Sequence, residues 1–198
     1  MAVRQAKREP KILVIDNYDS FVFNLVSYLE QLGARTRFVR NDEISADHAS
    51  NFDGVLISPG PGRPEDAGIS IDAIKYCADH SIPLLGVCLG HQAIAVAYGA
   101  RIINAPELLH GMTSSISHNG SGLFENIPSP YLATRYHSLL VEKSSIPAEL
   151  VVCAETDSED VMALAHKTLP IYGVQFHPES VLTEHGHALL QNWLNLIY

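Results

Sequence analysis

Cysteine is scarce in this sequence: three residues in 198, at Cys77, Cys88 and Cys153. Odd in number and widely spaced, they form neither a disulfide framework nor a Cys-x-x-Cys metal pattern, and they point to a reducing compartment. Basic residues are also few, 13 against 22 acidic ones, for a formal net charge of −9. That balance argues against nucleic acid as a main partner, because phosphate binding needs basic stripes. No segment approaches the ~18 apolar residues that a membrane span needs. Met1 to Lys11 is polar and basic and lacks the apolar stretch of a secretory signal. Repeats, low-complexity tracts and convincing linkers are absent. The expectation is a cytoplasmic protein with no nucleic-acid or membrane partner.

What is present suits a globular interior: 46% hydrophobic and 18% charged residues. Residues 1–10 are expected to be a flexible N-terminal extension and residues 11–198 one domain. Short apolar runs alternate with amphipathic stretches, the mark of α/β organisation. Ile12 to Ile15, Thr36 to Val39, Val55 to Ile57 and Ile82 to Val87 read as strands. The helices between and after them run from a Ser20 cap to about Leu32, from Gly68 to His80 and from Gly90 to Tyr98. The second half carries shorter strands at Arg101 to Ile103, Thr113 to Ser117, Thr134 to Tyr136, Leu150 to Ala154, Val161 to Ala165 and Ile171 to Phe176. A closing helix spans Thr183 to Leu196, with Leu189, Leu190, Trp193 and Leu194 as its packing face. The sheet is expected to be mixed, with a parallel core and an antiparallel extension.

Three segments stand out, all at the C-terminal ends of strands, where open α/β sheets bind ligands. The first is Gly86-Val87-Cys88-Leu89-Gly90-His91-Gln92. Residue type alone would place Cys88 in a core. Gly-x-Cys-x-Gly between strand and helix instead reads as a nucleophile elbow, with glycines that let substrate approach a tight turn. The second is Gly173-Val174-Gln175-Phe176-His177-Pro178-Glu179-Ser180. Pro178 biases His177 away from helix. In an extended segment His177 and Glu179 would project to one side, so that the carboxylate orients an imidazole able to take the Cys88 proton. The third is Ser58-Pro59-Gly60-Pro61-Gly62. It is neither a P-loop nor Gly-x-Gly-x-x-Gly, since no Gly-Lys-Ser/Thr follows and Glu65 takes the third glycine's place. Its stiffened backbone and the Leu89 amide, at a helix start, are candidate oxyanion donors. Of the ten histidines, His185 and His187 are the closest pair. Neither they nor His48, His80, His110, His118 and His166 show convincing metal-ligand spacing. No metal site is assigned, and Cys77 and Cys153 are given no role.

Together these segments resemble class I (triad) glutamine amidotransferases, in particular the small subunits of anthranilate synthase and aminodeoxychorismate synthase. Asp16-Asn17-Tyr18-Asp19-Ser20-Phe21, Asp66-Ala67-Gly68-Ile69-Ser70 and Arg135-Tyr136-His137-Ser138-Leu139 add to the match, which runs from about Ile12 to Tyr198. The resemblance implies a three-layer flavodoxin-like fold with a mostly parallel central sheet. It implies a Cys88, His177, Glu179 triad that hydrolyses L-glutamine. Gly60, Pro61, Gly62, Leu89, Gln92, Ser138 and Leu139 would bind that substrate. The ammonia would pass to a chorismate-binding synthase large subunit, component I, of anthranilate synthase or, alternatively, aminodeoxychorismate synthase. The glutaminase step needs no cofactor, and Mg²⁺ belongs to the partner. Two other readings stand beside this one: a hydrolase of γ-glutamyl peptides and a non-catalytic regulatory subunit. One position departs from the family: His110-Gly111-Met112-Thr113-Ser114 carries Met112 where lysine is usual. The loss of that cation bears on partner coupling.

Overall fold

The computed structural model describes residues 9–106 and 111–197. It follows β1 (Lys11–Asp16), α1 (Val22–Gln31), β2 (Arg35–Arg40), β3 (Gly54–Ile57), α2 (Ser70–Asp79), β4 (Leu84–Val87), α3 (Leu89–Ala97) and β5 (Ile102–Asn104). Then come β6 (Met112–His118), β7 (Tyr131–Arg135), β8 (Leu139–Val141), β9 (Leu150–Thr156), β10 (Val161–His166), β11 (Ile171–Val174) and α4 (Gly186–Asn195). Among the described residues a nine-stranded sheet has the order β2-β1-β3-β4-β11-β10-β9-β6-β7, and β5 pairs with β8 separately. The strands from β2 to β11 in that order are parallel, and the remainder are antiparallel. This is the expected parallel core with its antiparallel extension, in the flavodoxin-like strand order.

The three layers follow from alternation along the strands. Ile12 and Val14 of β1 join a core with Val22, Leu25 and Leu29 of α1 and Leu189, Leu190 and Trp193 of α4. Leu13 and Ile15 point the other way, into a core with Ala73, Ile74 and Cys77 of α2 and Ala93 and Ile94 of α3. Cys77 is thus a packing residue, and burial pushes its thiol up to about 12. The closing helix buries the face read from the sequence. His187 stacks on Tyr28 with ring centroids 3.8 Å apart, and His185 packs edge-on to Tyr131.

Some boundaries differ from expectation. Ser20 does not cap α1; the N-cap residue is Phe21 and makes no side-chain cap bond. The Asp19 carboxylate takes the Phe21 amide at 2.9 Å instead, so the polar residue that starts the helix lies one position earlier. Strand β8 is absent from the sequence reading, being only three residues long. The proposed extension over 1–10 lies, for residues 1–8, outside the described residues. Pro10 is already tied to β2, its carbonyl accepting the Arg35 amide at 2.8 Å.

Helix α3 lies unusually close to the sheet because of Gly86 and Gly90. A Cβ on Gly86 would stand 2.4 Å from the Gly90 carbonyl oxygen, and one on Gly90 would stand 2.5 Å from that of Ile57. The Gly-x-Cys-x-Gly pattern alone implies glycines kept small for substrate approach. Their neighbours are backbone atoms of α3 and β3, so they serve the contact between helix and sheet. Gly90→Ala should therefore lower stability by about 1–3 kcal/mol through overpacking. Urea denaturation measures this, and an unchanged midpoint would show that α3 can move off β3 freely.

Candidate active site

Cys88 occupies the N-cap of α3 with φ 52° and ψ −98°. L residues rarely adopt positive φ, and such strain gathers at functional sites. The Cys88 amide donates to the Val174 carbonyl at 2.8 Å, which ties the turn to the end of β11. The side chain is 7% exposed. It borders a cleft of about 170 Å³ lined by Gly60, Pro61, Gly62, Leu89, Gln92, Ser138 and Leu139, together with Tyr136 and His137. The structure thus brings every residue expected to hold substrate to one cleft beside Cys88. A larger depression of about 420 Å³ beside Tyr28 and His187 contains none of them.

His177 and Glu179 meet as expected, but not by the expected geometry. β11 ends at Val174, and His177-Pro178-Glu179-Ser180 is a turn closed by the Ser180 amide donating to the His177 carbonyl at 3.2 Å. Within that turn His177 Nδ1 lies 2.6 Å from Glu179 Oε1, and both side chains are almost wholly buried. The backbone of His177 is held on both sides. Its amide donates to the Thr134 carbonyl at 3.1 Å, and its own carbonyl accepts from Thr183 Oγ1 at 2.7 Å. Thr183 Oγ1 also accepts the Thr134 amide at 3.0 Å. Thr134 and Thr183 were invisible to motif reading, because no local pattern marks a hydroxyl that braces a distant loop.

Burial alone would push the His177 imidazole down, yet its pKa is raised well above the ordinary value because Cys88 and Glu179 together outweigh desolvation. The Cys88 thiol raises it through a hydrogen bond to the ring as well as through its charge, although Nε2 has no partner within strict hydrogen-bond geometry. Thiol and base are therefore neighbours in one buried site.

The Ser58 to Gly62 loop is set by Asn17, just after β1. The Asn17 amide donates to Ser58 Oγ at 2.8 Å, and its side-chain Nδ2 donates to the Ser58 carbonyl at 3.0 Å. Asn17 Oδ1 accepts from Asn41 at 3.0 Å and from Ser70 at 2.9 Å. Gly60 passes so close that a Cβ would meet the Asn17 carbonyl at 2.4 Å. Leu89 opens α3, where the first amides have no intrahelical acceptor and the dipole favours negative charge.

On the opposite side the 136–139 segment rests on a buried ion pair. Arg135 donates from Nη2 to Asp160 Oδ2 at 2.7 Å and from Nε to His137 Nε2 at 2.9 Å. Burial, helped by the Arg135 charge, pushes the His137 imidazole down to about 3, so it stays neutral and can accept. Tyr136 stacks on Phe21 and meets His177 edge-on at 5.1 Å. It also lines a second pocket of about 210 Å³ with His177, Glu179, Val181 and Leu182. Met112, at the start of β6, is exposed and in register with Arg135; His110 lies outside the described residues. Among the described residues, no group of three or more His, Cys, Asp or Glu is placed to hold a metal ion. Nor is any described helix long and apolar enough to cross a membrane.

Removal of the carboxylate tests this electrostatic balance. In Glu179→Gln, burial remains while one of the two opposing groups is lost, so the His177 pKa should fall. NMR titration of the isotope-labelled imidazole reads this directly; an unchanged value would mean that Glu179 does not support the charged ring.

The chain is similar to known proteins. A family model described as Glutamine amidotransferase class-I matches residues 13–196. The chain is 58% identical to anthranilate synthase component 2 of Mycobacterium tuberculosis, over 93% of this chain and 81% of that one. It is 49% identical to the aminodeoxychorismate/anthranilate synthase component 2 of Bacillus subtilis, over 92% of this chain and 95% of that one. It is 48% identical to aminodeoxychorismate synthase component 2 of Escherichia coli, over 93% and 99% respectively. A crystal structure from Thermoplasma acidophilum, of a protein named as a putative GMP synthase subunit, superposes with a TM-score of 0.87 at 28% identity, covering 97% of this chain and 96% of that one. With a family match over residues 13–196 and relatives at 48–58% identity, the chain belongs to the class-I glutamine amidotransferase family.

Proposed function

We propose that Cys88, His177 and Glu179 form a catalytic triad that hydrolyses L-glutamine and that the ammonia goes to a chorismate-binding synthase subunit, component I. The observation that carries this reading is the meeting of three parts: a strained thiol, a buried imidazole–carboxylate pair at 2.6 Å, and a glycine-walled cleft ending at Gln92 and Leu139. The thiolate attacks the side-chain amide carbon of glutamine, and the Leu89 amide and the Gly60 to Gly62 loop stabilise the oxyanion. As the C–N bond breaks, His177 gives its proton to the departing nitrogen, which leaves as ammonia, and a γ-glutamyl thioester remains on Cys88. Water then attacks the thioester with His177 as base, the proton returns by way of the imidazole to the sulfur, and glutamate departs. Glu179 orients the ring and stabilises its charged form. Gln92, Ser138 and Leu139 hold the amino-acid end of the substrate, and the chemistry requires no cofactor.

Anthranilate synthase is the first reading for the destination, because the 58% identical relative bears that name. Aminodeoxychorismate synthase is the alternative, and the Bacillus subtilis relative is named for both products. A chain of this composition acting on free glutamine fits the cytoplasm.

Two experiments test the assignment. With the synthase subunit present, Cys88→Ser should lower glutamine hydrolysis by roughly a thousandfold or more, while synthesis from added ammonium continues. Normal hydrolysis would remove Cys88 from the mechanism, and faster turnover of γ-glutamyl peptides than of free glutamine in the wild type would favour the peptidase reading. Because ammonia released without its acceptor subunit would waste glutamine, glutaminase activity should rise when the synthase subunit is added. Equal rates with and without it would contradict partner activation.

A further inference from the structure

The sulfur has a neighbour that no motif reading selects. Gln175 directly follows β11 and is completely buried. Its amide donates to the Met162 carbonyl at 2.8 Å, which holds the residue against β10. Its side-chain Nε2 lies 3.6 Å from Cys88 Sγ, at hydrogen-bonding distance for sulfur. Its Oε1 accepts from Gln92 Nε2 at 3.0 Å, and Gln92 Nε2 also donates to the Leu139 carbonyl at 3.1 Å.

The direction of this chain is fixed by chemistry. A backbone carbonyl only accepts, so Gln92 must turn its NH₂ group toward Leu139. The second hydrogen of that NH₂ group faces Gln175, which must answer with its oxygen. The Gln175 NH₂ group is then left facing the sulfur. Leu139, on the wall of the cleft, thus dictates through two amides that the group presented to Cys88 is a donor.

We infer that Gln175 is a further catalytic residue that donates a hydrogen bond to the Cys88 sulfur and stabilises its thiolate, with Gln92 as the positioning residue that fixes the sense of the donor. A donor aimed at the charged form of an acid favours that form. It matters most in a buried site, where an unpaired charge is costly. The Gln175 amide, 3.6 Å from the sulfur, is thus a second group on Cys88 beside the His177 imidazole. This role rests on the assignment of Cys88 as nucleophile.

The test is the pH profile of Cys88 alkylation by iodoacetamide, in which the thiolate displaces iodide. Mass spectrometry of the Cys88 peptide separates this thiol from Cys77 and Cys153, and the assay needs neither glutamine nor the synthase subunit. In Gln175→Met, which keeps the volume but removes the donor, the midpoint should move up by about one pH unit, and alkylation below it should slow by about tenfold. Gln175→Glu should move it further, since a carboxylate repels the thiolate. Gln92→Met should give a smaller shift in the same direction, and the double variant Gln92→Met with Gln175→Met should match Gln175→Met alone. A Gln175→Met profile that superimposes on the wild type in a protein with native circular dichroism would overturn the inference. If that variant fails to fold, Gln92→Met decides: an unshifted midpoint there would overturn it equally, and additive shifts in a folded double variant would refute the relay. A wild-type protein that gives the expected alkylation series yet never hydrolyses glutamine with the synthase subunit would sink the glutaminase reading and leave this one standing.

Discussion

Parallel pairing of β4 between β3 and β11 is the constraint on which the site depends. It places three strand ends side by side on one edge of the sheet. From those ends come the Ser58 to Gly62 loop, the Cys88 turn and the His177 to Glu179 turn. Each segment is short, so its starting point largely fixes its reach. The strong coupling of β4 to both neighbours is completed by the Cys88 amide on the Val174 carbonyl. A register slip of one residue would turn every side chain of β4 to the opposite face and separate the thiol from its base.

Buried polar groups finish what the sheet begins. Asn17 joins the loops after β1, β2 and β3. Arg135 and Asp160 brace the 136–139 segment, and Thr134 with Thr183 brackets the His177 backbone. Each of these groups is paired, as burial requires, and each fixes a loop that carries candidate chemistry without taking part in it. The exceptions are informative. Glu179 Oε2 is buried and unpartnered, and His177 Nε2 has no partner within strict hydrogen-bond geometry although the Cys88 thiol acts on its ring. Orphan polar atoms also occur at Trp193 and Tyr131, so it is the company of Cys88 that distinguishes the imidazole.

Much of this was legible in the chain. The β1, β3 and β4 runs are continuous apolar stretches, as strands buried on both faces must be, and their order along the chain predicted a parallel core. Helix faces followed from spacing, and Trp193 with its leucines packs as read. The misreadings share a cause. Ser20 looked like a cap because serine often is one, but Asp19 had the better geometry. His177 and Glu179 were paired by strand alternation, whereas a proline-containing turn brings them together. Gly86 and Gly90 were recognised as constrained, but the atoms constraining them belong to a neighbouring strand and helix, which no local pattern identifies. Gln175 went unassigned for a similar reason, since its partners lie 83 and 87 residues away.

The sequence by itself determined the class of fold, the segments that meet at the sheet edge, and the candidate nucleophile, base and orienter. It did so because strands, elbows and a proline-fixed turn are written in local residue choice and spacing. Tertiary structure decided which hydrogen bonds those residues make. It set the sense of the Gln92–Gln175 amide chain, the neutral state of His137 and the meeting of the Cys88 thiol with the imidazole. Each of these depends on distances between groups far apart in the chain and on the loss of water around them. Burial magnifies such small geometric differences into differences of charge, and only the folded protein sets them.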